Sequence, residues 1–447
     1  MAANNIEVVT RLDMCAEIIS KLMNESAIAV DAEGVNLGKT GPLTLLQVGT
    51  RDGHVYLFDI HVNKALLGAG YLKDLLETKN VVKIFHSCRG DSAALTAQFG
   101  VTLDNVFDTQ IAHLEIEESK GKLFPPELKL ADLCETYVGD STALASKDDV
   151  KKAWMLTAAY WAIRPLTPEM IQYAAADVSV LFVLYDKLSR LVRESDDLYK
   201  KLLSSVDEAI IRETDPSATE RRSDRLKKSV ETVLKQIAEK CQRGECRNLE
   251  DLDENEVHAM ELCRTDQIIQ WSAGFKKLRK KCFEKFVEDT ERKIAEDPLT
   301  YDVTKGVFGK LKANEDLYEG TELGDKIKRL LTRIGDVQLE QIKQRYAADT
   351  PLEYIRQSDV RVIMRTQIDK ERNDVLRALF TRFCMRDLQE LKTKYRKNPR
   401  GVEIHKSLYH KIRFLATKSS KCSPELKRLS KELWASFVQR YGREHNY

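Results

Sequence analysis

Two acidic residues stand two positions apart inside an apolar segment, AIAVDAEG, at 27–34. Side chains alternate along a strand, so Asp31 and Glu33 project from one face while Val30 and Ala32 face the other way. Two carboxylates on one face of an apolar strand are costly unless a cation compensates their charge. The segment therefore predicts a cation site, and it leaves open the alternative of a strand that runs out into an acidic turn.

Three further residues have types and positions that could complete such a site. Asp91 follows a short strand and a polar loop in VVKIFHSCRGDSAAL, at the start of an apolar helix, where Asp is also a favoured capping residue. Tyr173 and Asp177 are four residues apart in LTPEMIQYAAADVSVLFVLYDKL and share one helix face. Taken alone, the first segment favours a helix cap and the second an ordinary amphipathic helix.

Carboxylates gathered on rigid elements suit phosphodiester hydrolysis, which needs an activated water and stabilised negative oxygens. Two divalent ions about 4 Å apart can supply both. Because Mg²⁺ and Mn²⁺ prefer oxygen ligands, the sequence predicts two such ions. The predicted metal ligands are Asp31, Glu33, Asp91 and Asp177.

Short strands alternating with helices must position these residues. Strands are predicted at 27–33, 43–49, 54–60, 81–85 and 106–107, with helices at 66–78, at 91–99 and from 109. Pro165 and Pro168 precede one long helix predicted at about 167–193. Strands followed by strand–helix alternation predict an α/β fold, a mixed sheet with helices packed on it.

The strand pattern ends near residue 200, and the remaining chain has helical spacing. Long helical stretches are predicted near 223–243, 254–296, 322–347 and 358–397. The best candidate for a boundary segment is ETDPSATERR at 213–222. We predict a first domain at 1–205 and a basic helical region at 206–447, with two related bundles at about 223–347 and 358–447 as one interpretation.

Charge divides along the same line. Residues 1–200 contain 20 Lys and Arg against 28 Asp and Glu, a balance of −8, and residues 201–447 contain 52 against 42, a balance of +10. An acidic half beside a basic half suits a carboxylate metal centre served by a region that attracts polyanions. Nine irregularly spaced cysteines and no apparent secretory signal predict a cytoplasmic or nuclear protein with reduced thiols. No apolar run suggests a membrane span.

The ordered set Asp31-x-Glu33, His86-x₄-Asp91 and Tyr173-x₃-Asp177 resembles the three motifs of the DEDDy exonuclease superfamily, which includes ribonuclease D. The segments FDTQIAHLE at 107–115 and WAIRPLTPEMIQYAAADV at 161–178 resemble it too. Within this superfamily, DAEGVNLGKTGPLTLLQVGT is most similar to the Egalitarian and exonuclease 3′–5′ domain-containing protein 1 branch. The resemblance covers about residues 5–200 and implies a ribonuclease H-like fold.

The resemblance also implies catalytic roles. Asp31 would bridge both metals, Glu33 and Asp177 would complete the site that activates water, and Asp91 would help to hold the second metal. Tyr173 would orient the attacking water. The implied activity is removal of nucleoside 5′-monophosphates from the 3′ end of single-stranded RNA. Some members of the branch lack the acids and act as RNA-binding adaptors, which is the alternative function; a DNA exonuclease ranks lower.

Other residues are predicted nucleic-acid contacts. Asn36 and Lys39 lie in the glycine-bearing loop after the first motif, which could also be a simple hairpin connection. His86 and Arg89 could contact phosphate, although His86 is equally compatible with a buried strand end. Arg164 is a candidate backbone-phosphate contact, with solvated charge as the alternative. The helical region is a candidate surface for a protein partner.

Overall fold

A six-stranded mixed sheet forms the centre of the N-terminal part of this computed structural model. The strands are β1 (Asn5–Val9), β2 (Ala27–Gly34), β3 (Leu43–Gly49), β4 (His54–Phe58), β5 (Val82–Phe85) and β6 (Val106–Asp108). The structure describes residues 5–122, 125–144, 157, 159–262, 272–296, 298, 305–356, 359–360, 362–363, 374–397, 424 and 428–432.

The sheet has the strand order β1-β4-β3-β2-β5-β6. β3 is antiparallel to both β2 and β4, whereas β1 is parallel to β4, and β2, β5 and β6 are parallel to one another. β2 is therefore an interior strand with a partner on each side, and its residues 27–30 are buried. An interior strand is a rigid support for the two acids near its end.

Helices surround this sheet. They are α1 (Leu12–Leu22), α2 (Leu72–Glu77), α3 (Arg89–Phe99), α4 (Thr109–Ser119), α5 (Leu130–Val138), α6 (Pro168–Ser179), α7 (Leu181–Val192) and α8 (Asp196–Ile211). The core of the sheet extends to Val206 and Ile210 on α8, and α8 packs against α3 and α4. The predicted α/β fold class, a mixed sheet flanked by helices and followed by a helical region, is confirmed.

The single helix predicted at about 167–193 is wrong. The chain forms α6 and α7 with a break at Val180. At this break the Ser179 hydroxyl donates a hydrogen bond to the Ala175 carbonyl at 2.7 Å. Such a bond competes with the helical pattern and often accompanies a bend.

The remaining helices are α9 (Pro216–Arg243), α10 (Glu254–Leu262), α11 (Ala273–Glu296), α12 (Lys305–Glu315), α13 (Glu322–Arg345) and α14 (Asp374–Lys397). α9 begins inside the segment predicted as a boundary. Asp215 caps it by accepting from the Ser217 backbone N–H at 2.9 Å, and Pro216 occupies the first turn, where it needs no donor. Apolar residues of α9, α10 and α11 form a second core.

The chain forms two compact units, 1–334 and 335–447. In the second unit, Asp359 accepts hydrogen bonds from the Arg345 guanidinium at 2.5 Å and the Tyr346 hydroxyl at 2.7 Å. The domain boundary at 205 and the two related bundles stay predictions, and much of 358–447 lies outside the described residues. Within the described residues, no helix is both long and apolar enough to cross a membrane.

Candidate active site

Three carboxylates converge where β2 meets α6. One ligand oxygen from each of Asp31, Glu33 and Asp177 lies within 4.8 Å of the others. Asp31 and Glu33 are partly exposed, and Asp177 is buried. Oxygen donors at this spacing are the ligands that hard divalent cations prefer. The residues present therefore fit the predicted metal centre.

The approach of α6 to the sheet determines where Asp177 lies. Thr167 caps α6 by accepting a hydrogen bond from the Met170 backbone N–H at 3.3 Å. α6 packs against β2, β3 and β4. One close contact is at Gly49 of β3, where an added Cβ would lie 3.2 Å from both Cβ and Cγ2 of Val178. A larger residue at position 49 would make this contact tighter than is usual for a Cβ atom.

Asp91 is the third residue of α3 and is 6% exposed. The residue that caps this helix is Cys88, so the capping role considered for Asp91 is wrong. Burial raises the pKa of the Asp91 carboxyl well above its usual value, and the negative charge of Asp31 raises it further. Asp91 is not in the group of three that share the 4.8 Å spacing, but its carboxyl is close enough to Asp31 to be repelled by it.

Asp108 supports the loop that leads into α3, a role the sequence analysis did not assign. Its carboxylate accepts the backbone N–H groups of Ser87 at 3.0 Å and Cys88 at 2.8 Å. It also caps α4 through Gln110 at 2.9 Å. Asp108 lies in the segment FDTQIAHLE, and a capping Asp before a helix is a signal that the sequence offers.

Aromatic rings lie beside the acids. Tyr173 is one turn before Asp177 on α6, and its ring centroid is 5.6 Å from that of Trp161. Trp161 in turn packs edge-to-face against Tyr160 at 5.5 Å. Burial raises the pKa of the Tyr160 phenol, and the charges of Glu169 and then Glu33 raise it as well. Tyr160 is therefore within electrostatic reach of the carboxylate cluster.

Gln47 is a second residue without an assigned role in the sequence analysis. It pairs directly with Asp31 in the β2–β3 register, and residues opposite one another on antiparallel strands share a face. Gln47 is fully buried, and neither atom of its amide has a hydrogen-bond partner in the described chain. A polar residue inside the apolar run LTLLQVG is the signal that could have identified it.

The predicted nucleic-acid contacts lie in different environments. Asn36 has a left-handed backbone with φ 56°, and Lys39 is exposed in the same loop. The Gln98 amide anchors this loop by donating to the Gly41 carbonyl at 2.7 Å. His86 has both ring nitrogens within hydrogen-bond distance of protein atoms, with Nδ1 2.9 Å from Thr109 Oγ1 and Nε2 3.2 Å from the Leu128 carbonyl. Arg89 is exposed and pairs with Glu213 at 3.3 Å.

Arg164 differs from the expectation of a phosphate contact. Its guanidinium donates twice to the Asp59 carboxylate, at 2.6 and 2.8 Å. It also donates to the carbonyls of Trp161, Ile163 and Thr44 at 3.0, 2.7 and 3.1 Å. Arginine has five N–H donors, so this arrangement leaves none for a phosphate. Arg164 instead ties the loop before α6 to β3 and the end of β4.

Comparison with known proteins agrees with this arrangement. The family described as 3′-5′ exonuclease matches residues 6–193. The mouse protein named piRNA biogenesis protein EXD1 is 32% identical over 168 residues, which cover 36% of this chain and 29% of that protein. The Caenorhabditis elegans Egalitarian protein homolog is 27% identical over 202 residues, covering 43% of this chain and 35% of the homolog.

The chain thus spans about a third of the length of these curated relatives. Among solved structures, Trypanosoma brucei RNase D in complex with GMP aligns with a TM-score of 0.40 and 23% identity, over 46% of this chain and 63% of that one. On the sequence matches alone, residues 6–193 match the 3′–5′ exonuclease domain family, with EXD1 and Egalitarian proteins among their relatives, as the resemblance had implied.

Proposed function

We propose that this protein is a metal-dependent 3′–5′ exoribonuclease that releases nucleoside 5′-monophosphates from single-stranded RNA. The observation that carries the proposal is the convergence of Asp31, Glu33 and Asp177 within 4.8 Å in a segment that matches the exonuclease family. No other group of three or more possible ligands is so arranged among the residues that the structure describes.

The residues of the chain divide the work. Asp31, Glu33 and Asp177 would hold two Mg²⁺ or Mn²⁺ ions, and Asp91 would contribute to the second. Bound cations of this kind supply an activated water and neutralise charge on the departing oxygen. The ring of Tyr173 packs against Trp161, with 5.6 Å between the ring centroids. Its phenol would orient the attacking water through a hydrogen bond. Burial and the charge of Asp31 raise the pKa of the Asp91 carboxyl, so a cation bound there would compete with a proton.

RNA is the proposed substrate because relatives carry RNA-related names. One is called a piRNA biogenesis protein, and a human relative, 29% identical over 181 residues, is named exosome complex component 10. The basic balance of residues 201–447 would attract a polyanion. We propose a cytoplasmic or nuclear location, from the cysteine content, and a protein partner for the helical region.

A catalytically idle RNA-binding adaptor is the second candidate function. It is supported by the relationship to an Egalitarian protein homolog and by the length of chain beyond residue 193, which lies outside the family match. In this case the acids would not take part in a reaction, and EDTA would not change the affinity for RNA.

Incubation of the full chain with 5′-labelled single-stranded RNA and Mn²⁺ separates these functions. The exonuclease proposal expects a ladder of 3′-shortened products that EDTA and Asp31→Asn abolish, and that Tyr173→Phe slows. Asp140→Asn is a matched control, because Asp140 is an exposed acid that hydrogen-bonds Thr142 outside the site. Absence of product with both Mn²⁺ and Mg²⁺, together with tight RNA binding, would instead establish the adaptor. A matched DNA strand tests the sugar preference.

A further inference from the structure

Arg212 terminates α8 as a half-buried cation with no side-chain partner among the described residues. Its Nε is shielded from solvent and has no hydrogen-bond partner in the described part of the chain. Burial lowers the pKa of the guanidinium to about 10, and the positive charges of Arg222 and Arg89 lower it further. The negative charges of Glu208 and Glu127 offset part of this effect. A partly buried cation with other cations nearby is costly unless an anion compensates it.

Arg212 lies beside the helix that carries Asp91. The Ser92 hydroxyl donates to the Ile210 carbonyl at 2.8 Å, which joins the end of α8 to the first turns of α3. Arg89, at the start of α3, pairs with Glu213, the residue after Arg212, at 3.3 Å. These two contacts bring Arg89 and Arg212 to the same corner of the fold, next to the second acidic motif.

Three acids near Arg212 already form ion pairs with other arginines. Glu213 faces Arg89 at 3.3 Å, and Glu127 faces Arg222 at the long distance of 3.8 Å. Both oxygens of Glu208 accept from the Arg225 guanidinium, at 2.6 and 2.7 Å. Among the described residues, each of these three acids pairs with another arginine, and Arg212 forms no ion pair with any of them.

We infer that Arg212, with Arg89 and Arg222, forms a binding site for a backbone phosphate of the nucleic-acid strand. A guanidinium matches the geometry of two phosphate oxygens and forms strong charge-assisted hydrogen bonds with them. The choice of a strand as the source of the phosphate rests on the proposed function. Arg89 belongs to the family-matched segment 6–193, whereas Arg212 and Arg222 lie beyond it, so the helical extension completes the site.

Binding of 5′-labelled single-stranded RNA to the full chain in EDTA tests the inference without any need for turnover. Arg212→Gln should weaken binding roughly tenfold for any sequence and reduce the slope of log affinity against log salt by about one. Arg222→Gln, at a half-exposed position that tolerates substitution, should act in the same direction. Arg243→Gln is the matched control, because Arg243 lies on α9 and pairs with exposed Glu245.

Three outcomes decide between the explanations. Wild-type RNA affinity and salt dependence in both Arg212→Gln and Arg222→Gln, with no effect of inorganic phosphate on the melting temperature, would overturn the site. If inorganic phosphate raises the melting temperature through Arg212 while RNA affinity is unchanged by Arg212→Gln, the site binds free anions and the strand assignment is overturned. If the wild-type chain does not cleave RNA but Arg212→Gln still weakens RNA binding, the exonuclease proposal alone is refuted and the phosphate site is supported.

Discussion

Replacing Gly49 by alanine tests whether the distance between α6 and the sheet controls the carboxylate cluster. The new Cβ would lie 3.2 Å from Cβ and Cγ2 of Val178. Non-bonded carbon atoms rest about 3.5–4.0 Å apart, so the gap must open by about 0.5 Å. Val178 is fully buried, and a β-branched side chain on a helix has essentially one rotamer. We therefore expect α6 to shift relative to β3, and Asp177 to shift with it.

A displacement of this size is comparable with the tolerance of a metal centre. Productive constellations need their groups within about 0.5 Å of the correct position, and loss of supporting contacts typically costs about 10- to 100-fold in metal affinity or activity. We expect Gly49→Ala to raise the Mn²⁺ dissociation constant about tenfold. Overpacking should also lower the free energy of unfolding by roughly 1–3 kcal/mol.

The assay is thermal unfolding of the full chain over a Mn²⁺ titration, with the rate of 3′ shortening of labelled RNA as a second readout. Val178→Gly removes both atoms that crowd the new methyl group, Cβ and Cγ2, so the double variant should recover most of the Mn²⁺ affinity although it stays less stable. Gly309→Ala is the control, because its added Cβ on α12 meets no atom within 4 Å. It should leave metal binding unchanged and raise stability by about 0.5–1 kcal/mol.

Two results would refute this reasoning. The first is a Gly49→Ala protein that melts earlier yet binds Mn²⁺ with wild-type affinity, which would show that the helix position is not what aligns the acids. The second is a double variant that fails to recover, because the damage would then come from a source other than the Val178 contact.

Three further predictions concern buried polar groups. In EDTA, the free energy of unfolding should fall as pH rises above about 4, by up to about 1.4 kcal/mol per pH unit, until the pKa of folded Asp91 is passed. In this range the folded state binds more protons than the unfolded state, because the folded pKa is raised. Urea unfolding at several pH values should show a flatter profile for Asp91→Asn, and an unchanged slope would contradict this. Arg164→Met should destabilise the fold by roughly 3–5 kcal/mol, since Asp59 is 3% exposed and loses its counter-charge; adding Asp59→Asn should restore part of the loss, and independent effects would exclude the pairing. Gln47→Leu should leave stability in EDTA equal or higher, because an unpartnered buried amide is removed; a clear loss of melting temperature would show that the amide has a partner.

Much of the fold and of the acidic set could be predicted, because both depend on local patterns. Alternation along 27–34 places Asp31 and Glu33 on one face, and four-residue spacing does the same for Tyr173 and Asp177. The structure brings Asp31, Glu33 and Asp177 together as expected, while their catalytic roles stay predictions. Neither pattern carries information about the distance between α6 and the sheet. We expect that distance to depend on the contact between Val178 of α6 and Gly49 of β3.

The failures involve partners distant in the chain. Arg164 was a candidate phosphate contact with solvated charge as the alternative. Neither interpretation identifies its partners Asp59 and Thr44, which are 105 and 120 residues away. The unassigned role of Asp108 has the same origin, since it accepts from Ser87 and Cys88 across about twenty residues. By contrast, the break between α6 and α7 is local, but a single serine hydroxyl is too weak a signal to interrupt a strong apolar pattern.

The crowding of carboxylates around Asp31 has a consequence for how activity could be lost. Because Asp91 is buried and repelled by Asp31, neutralising Asp91 should relieve charge repulsion in the metal-free fold. If the chain hydrolyses RNA as proposed, a single base change that converts Asp91 to asparagine would remove a metal ligand without a cost in folding stability. Loss of activity would then leave a folded protein, which is what the alternative adaptor function requires.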